Sequence, residues 1–161
     1  GPAAVRSPSG RGPGVDIMTD MHAIPIGIAD VVRRGESVAI LAFGASLEPA
    51  TQVAERLGAS VVNMRFVKPL DGDLIEEMAR SHELLVTVEE NAACGGAGSG
   101  VTELLVAAGH SASVLNIGIP DRYIEHGSRE DCLAWAGLDA EGIYAQVEKR
   151  LGQANTTSKA S

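Results

Sequence analysis

The sequence predicts a three-layer α/β/α fold with a mostly parallel sheet of about five strands. Three observations carry that reading. From Val38 to Leu151, short apolar or β-branched runs alternate with helix-length amphipathic stretches, the pattern of parallel strands joined by crossover helices. Val38–Phe43 (VAILAF) and Leu84–Val88 (LLVTV) are near-continuous apolar runs, which marks strands covered on both faces. Finally, Leu84–Gly109 passes from strand pattern through Glu89, Glu90 and Asn91 into a Gly- and Ala-rich loop. It leaves that loop as a helix from Val101, the core of a βαβ unit.

Each element follows in order. Residues 1–20 are dense in Gly, Pro and Ser and read as a linker or the tail of a preceding domain. Residues 21–151 read as one domain, and 152–161 as a polar, disordered tail. Short extended pieces are expected around Ile24–Ile28 and Asp30–Val32, then the strand Val38–Phe43. Ser46 is placed to cap a helix over Leu47–Leu57, with Glu48 and Pro49 in its first turn and Gly58 at its end. Ser60–Val67 is the next strand. Asp71 caps a helix over Gly72–Ser81 whose apolar stripe is Leu74, Ile75, Met78 and Ala79. After the Gly loop, Ser99 or Gly100 starts the next helix, which Gly109 ends, and Ala112–Ile117 is a further strand. Ser128 caps a helix over Arg129–Ala136, with Asp131 completing a capping box, and Asp139 caps a last helix over Ala140–Leu151.

Composition narrows the function. A net charge of −8 and a pI near 4.9 argue against nucleic acid and anionic membranes as partners. No apolar run reaches bilayer-spanning length, and no charged-then-apolar leader opens the chain. Cys94 and Cys132 are two isolated residues without C-x-x-C spacing, so free thiols and a cytoplasmic location are expected.

In such a sheet the working edge is the carboxyl end of the strands. Three polar sets fall there: Arg65–Pro69, Glu89–Asn91 and Pro120–Tyr123. Glu89 and Glu90 are neighbours on a strand, so they point opposite ways and do not form an acid/base pair. One of them is expected to pair with Arg65 or Lys68. The loop suggests phosphate held at a helix N-terminus, but Gly96-Ala97-Gly98-Ser99-Gly100-Val101 has Val where the dinucleotide fingerprint needs its third Gly. A close-packed turn facing a neighbouring domain or subunit is the better expectation, through Glu90, Asn91, Gly95, Gly96, Gly98 and Gly100. His82 and His110 fall near helix C-termini, where a cation complements the dipole. His126 lies in a loop leaving the carboxyl edge, and no two histidines have metal-ligand spacing. Cys94 is expected to fill a small space in the loop, and Cys132 to face the core. Neither has the surroundings of a nucleophile. Arg6 and Arg11 are linker arginines that could contact an anion at a domain seam.

Four blocks in one order, Val61–Asp71, Leu85–Asn91, Gly95–Val101 and Leu115–Asp121, resemble the C-terminal domain of the 1-deoxy-D-xylulose-5-phosphate synthases, within the transketolase family. The resemblance runs from Gly1 to Leu151. It implies a transferase that uses thiamine diphosphate and Mg²⁺ to condense pyruvate with glyceraldehyde 3-phosphate, feeding isoprenoid, thiamine and pyridoxal biosynthesis. It also implies that cofactor, metal and catalytic residues belong to preceding domains, that this chain binds none of them and is inactive alone, and that the full protein is a homodimer. After Arg6 the family reads Tyr-Pro-Arg-Gly, with the second Arg on the substrate phosphate. Here Ser9 takes that place and Arg11 follows two residues later, which makes Arg11 the candidate phosphate contact. The same domain of a 2-oxo-acid dehydrogenase β subunit, and a stand-alone module binding a nucleotide or anion at the Gly loop, are the competing readings.

Overall fold

The computed structural model describes residues 22–158. Five strands form one sheet: β1 (Asp30–Arg33), β2 (Val38–Ala42), β3 (Ser60–Asn63), β4 (Leu84–Ala92) and β5 (Val114–Ile119). Their order across the sheet is β1-β3-β2-β4-β5, with all pairs parallel except β1 with β3. Five helices connect or follow them: α1 (Leu47–Leu57), α2 (Gly72–Ser81), α3 (Ala97–Ala107), α4 (Arg129–Ala136) and α5 (Ala140–Ser158).

Strand periodicity builds two cores. Val38, Ile40 and Ala42 of β2 point to one face, where they meet Val53 of α1 and Ile143 and Val147 of α5. Ala39 and Leu41 point to the other, against Ile75 and Met78 of α2 and Val101 and Leu105 of α3. A strand buried on both faces therefore reads as an unbroken apolar run, which is why β2 was legible. The chain leaves β2 through α1 to β3 on one side, and reaches β4 on the other side through α2. Crossover helices on opposite faces are what one handedness of crossover requires when direction along the sheet reverses.

Several boundaries move. The Ile24–Ile28 piece is not a strand but holds a turn closed by Ile28 N–H to Pro25 C=O at 3.3 Å. β3 stops at Asn63 rather than Val67, because Arg65 takes a left-handed φ of 55° that no strand continues through. β4 runs on through both acids to Ala92. α3 begins at Ala97, well before Val101. α5 passes the expected stop at Leu151 and reaches Ser158, since one Gly weakens a helix without ending it.

The caps are mostly as read. Asp71 accepts from Leu74 N–H at 3.1 Å, Ser128 from Asp131 N–H at 3.1 Å, and Asp139 from Gly142 N–H at 2.8 Å. Gly58 ends α1 at φ 66°. Ser46 is the exception. It sits in a 3-10 turn (Gly44–Ser46) ahead of α1, adopts helical angles, and caps nothing. Its Oγ is buried without a hydrogen-bond partner. A buried unpaired hydroxyl is destabilising, so Ser46→Ala should raise stability by about 0.5–1 kcal/mol. Urea unfolding would show the midpoint rising with the slope unchanged.

Candidate functional site: the carboxyl edge of the sheet

The carboxyl ends of β2 and β4 lie side by side where the strand order reverses, the position at which open α/β sheets place their crevice. Here that crevice is shaped by the overshoot of β4. Val88 pairs with Ile117, and the next registered pair is Ala92 with Ile119, so β4 advances four residues while β5 advances two. The surplus is a bulge at Glu89–Asn91, and a bulge re-aims side chains at a sheet edge. Gly118 permits it, since a Cβ there would lie 2.7 Å from Asn91 O.

Opposite orientations of Glu89 and Glu90 hold, but neither reaches Arg65 or Lys68. Arg65 is taken by Asp30 at 2.9 Å. Glu89 turns inward, only 4% exposed, and its two oxygens accept from Ala97 N–H and Gly98 N–H, each at 2.8 Å. These are the orphan donors of the α3 N-terminus, where a negative charge is also favoured by the helix dipole. Glu90 turns outward and pairs with Arg129 at the start of α4. One acid thus fixes α3 to the edge and the next fixes α4.

The Gly loop is packed for the same purpose. A Cβ at Gly96 would lie 2.5 Å from both Glu89 carboxylate oxygens, and one at Gly98 would lie 2.2 Å from Thr87 Oγ1. Beneath them Thr87 Oγ1 donates to Asn116 Oδ1 at 2.9 Å, and Asn116 Nδ2 donates to Thr102 Oγ1 at 3.2 Å. Thr102 Oγ1 closes the chain by donating to Gly98 O at 3.1 Å. The loop above closes on itself, with Gly95 N–H donating to Ser99 Oγ at 2.9 Å. Gly95 and Asn91 face solvent, while Gly100 meets only Leu70 at ordinary contact distance.

Thr87, Thr102, Asn116 and Arg129 were not among the site residues expected from the sequence. Thr87 was the signal available, as the one polar residue in the apolar run Leu84–Val88.

The remaining candidates scatter. Cys94 is exposed rather than filling the loop, because the turn is closed by backbone and Ser99 instead. Cys132 is half-buried, its Sγ 3.7 Å from Glu125 O rather than in the core. His126 is exposed, and Arg122 lies over the Trp135 ring at 4.0 Å. His82 lies at the end of α2, its Nε2 2.8 Å from Ser60 Oγ. His110 sits 3.1 Å from Glu76. Arg11 lies outside the described residues.

The His110 contact has a pH consequence. The Glu76 carboxyl is held below its ordinary value of 4.5, chiefly by the hydrogen bond from His110; desolvation opposes this, and the hydrogen bond from Arg80 adds to the lowering. A depressed carboxylate contributes stability that is present above the ordinary value and lost as pH falls through the lowered one. His110→Ala should therefore shallow the acid limb of a stability-against-pH curve, which thermal melts between pH 3 and 6 would follow.

Among the described residues no three His, Cys, Asp or Glu side chains are grouped to hold a metal ion. The helix N-terminus best placed for a diphosphate already carries Glu89. The Ala97 and Gly98 N–H groups that a diphosphate would need at the α3 N-terminus are thus taken by Glu89. No helix among the described residues is long and apolar enough to cross a membrane.

Comparison with known proteins decides the family. The profile described as "Transketolase, C-terminal domain" matches residues 27–143. The chain belongs to the transketolase C-terminal domain family. Within that family it is similar to 1-deoxy-D-xylulose-5-phosphate synthases. It is 54% identical over 158 residues to that of Thioalkalivibrio sulfidiphilus, covering 98% of this chain and 25% of the relative. It is 56% identical over 147 residues to that of Nitrosococcus oceani, covering 91% and 23%. The transketolase C-terminal domain here thus spans about a quarter of the curated relatives it matches. A solved structure titled "Split gene transketolase, inactive beta4 tetramer" superposes with a TM-score of 0.72 at 33% identity, over 83% of this chain and 44% of that one. Transketolase from Campylobacter jejuni shares the fold, at a TM-score of 0.53 and 15% identity over 75% of this chain and 18% of that one.

Proposed function

We propose that this transketolase C-terminal domain is the last domain of a 1-deoxy-D-xylulose-5-phosphate synthase. That enzyme condenses pyruvate with glyceraldehyde 3-phosphate, releases CO2, and uses thiamine diphosphate with Mg²⁺. The observation that carries the reading is identity above one half across nearly the whole chain to synthases of about four times its length. In this reading the cofactor and metal belong to the preceding domains, and the isolated chain has no turnover.

The chain's own part is mechanical. Its carboxyl edge meets the cofactor-bearing domains through Glu90, Asn91, Gly95 in the loop and Gly100 in the first turn of α3, while Gly96 and Gly98 act from inside by letting the loop close. In this reading the full protein is a cytoplasmic homodimer; the split-gene relative is itself an oligomer, a β4 tetramer. Arg11 contacts the substrate phosphate.

The deciding experiment is to assay the natural gene product. A protein about four times this length that forms CO2 and the five-carbon ketose phosphate from the two substrates supports the reading. A product consisting of this chain alone, or a long product without that activity, refutes it. In an active protein, Arg11→Ala should raise KM for the phosphorylated substrate about tenfold or more, the worth of one charge-assisted contact of 1.5–3 kcal/mol. Asn91→Trp should reduce activity with the isolated domain's stability unchanged.

A further inference from the structure

The described residues expose eight large apolar side chains, and five of them lie on or beside β1 and in the segment after β3. Ile24, Ile26 and Ile28 precede β1, Val32 lies within it, and Val67 follows β3. Isolated exposed apolar residues are ordinary, but a contiguous group is not. Ile26 is the sharpest case. It stands at the tip of the turn closed by Ile28 N–H to Pro25 C=O, 76% exposed, where a polar residue is usual.

The group is held on a firm base. Gly27 has φ 76°, and a Cβ on it would lie 2.8 Å from Pro69 Cγ, so the turn is pressed against the loop that carries Val67. Ala29 N–H donates to Asp71 Oδ2 at 2.8 Å, tying the same segment to the start of α2. Position matters as well. β1 is antiparallel to β3 and Asp30 pairs with Asn63, so the entrance to β1 lies at the carboxyl end of β3. The apolar corner therefore lies on the same edge of the sheet as Glu90 and Asn91.

We propose that the corner formed by Ile24, Ile26, Ile28 and Val67 is the seat of the polypeptide that precedes this domain in the longer protein. The inference rests on the reading of the chain as the last domain of a synthase. The occupant is argued from length and place. About three quarters of each curated relative lies outside the region this chain matches, and the corner is where the chain enters the fold. Rigid apolar side chains at a turn tip lose little freedom when covered, so they suit a permanent contact. The corner would stand beside the carboxyl edge as its apolar anchor.

The test is the double substitution Ile26→Asp with Val67→Asp, made in this chain and in the natural gene product. In this chain the unfolding midpoint should move by no more than about 2 °C, since both side chains are exposed. In the gene product, limited proteolysis should cut at the junction about tenfold faster or more, because the two charges remove the apolar burial that holds the junction closed. An unchanged cleavage rate in a long, active protein overturns the seat and leaves the synthase reading standing. Concentration-dependent dimerisation of the unsubstituted chain, abolished by the substitutions, also overturns it in favour of a second copy. A long protein that lacks synthase activity but releases the domain on substitution keeps the seat and refutes the synthase reading. A gene product consisting of this chain alone refutes both.

Discussion

A Gly98→Ala chain should lose about 3 kcal/mol of stability, a large fraction of what a domain of this size has. The added Cβ would come within 2.2 Å of Thr87 Oγ1. Thr87 is fully buried on β4 and its hydroxyl is bound to Asn116, so it cannot swing aside as a long surface side chain would. Relief must come from moving the first turn of α3, which breaks the two Glu89 bonds. Two companions make the result specific. Gly100→Ala, two residues on in the same helix, meets only Leu70 at 3.5 Å and should be neutral or stabilising, by up to about 1 kcal/mol of helix propensity. Thr87→Ala combined with Gly98→Ala should recover part of the loss. A double-mutant cycle in urea measures that coupling, and strictly additive losses would refute the steric account.

Glu89→Ala should cost a similar amount, about 2–4 kcal/mol, by a different route. It strands the N–H groups of Ala97 and Gly98 in a buried place and removes a charge that the helix dipole favours. The melting temperature should fall by about 10 °C. Glu89→Gln keeps one acceptor but turns an amide N–H₂ toward a second donor, so it should fall between the wild type and Glu89→Ala. Equal stability of Glu89→Gln and the wild type would show that charge plays no part.

How much of this could be read from the chain depends on how local each cause is. Alternation of strands and helices, the two-faced burial of β2, and the caps at Asp71, Ser128 and Asp139 each depend on a few neighbouring residues, and all were legible. The end of β3 was not, because a left-handed Arg65 is chosen by its tertiary setting and not by propensity. Ser46 looked like a cap by type and spacing, yet the preceding turn places it in helical geometry where its oxygen cannot reach N–H groups ahead.

The candidate site shows the same division. Glu89 and Glu90 were found, and their opposite orientation followed from strand geometry. Their partners were not found, because Ala97, Gly98 and Arg129 meet them only once β4 overshoots and α3 and α4 have docked. An acidic pair read as a polar strand end is one buried anchor and one surface ion pair. The loop is glycine-rich where it lies close to its own strand, at Gly96 against Glu89 and at Gly98 against Thr87.

The buried carboxylate of Glu89 has a kinetic consequence. Loops built to cradle a phosphate are free to rearrange until the anion arrives, and their ordering is charged against binding. This loop carries its anion in the adjacent strand, so its ordering is completed when the chain folds. The docking partner proposed above would therefore meet a surface already in its final shape. The amide protons of Ala97 and Gly98 should exchange with solvent at rates set by unfolding of the whole domain, with or without that partner.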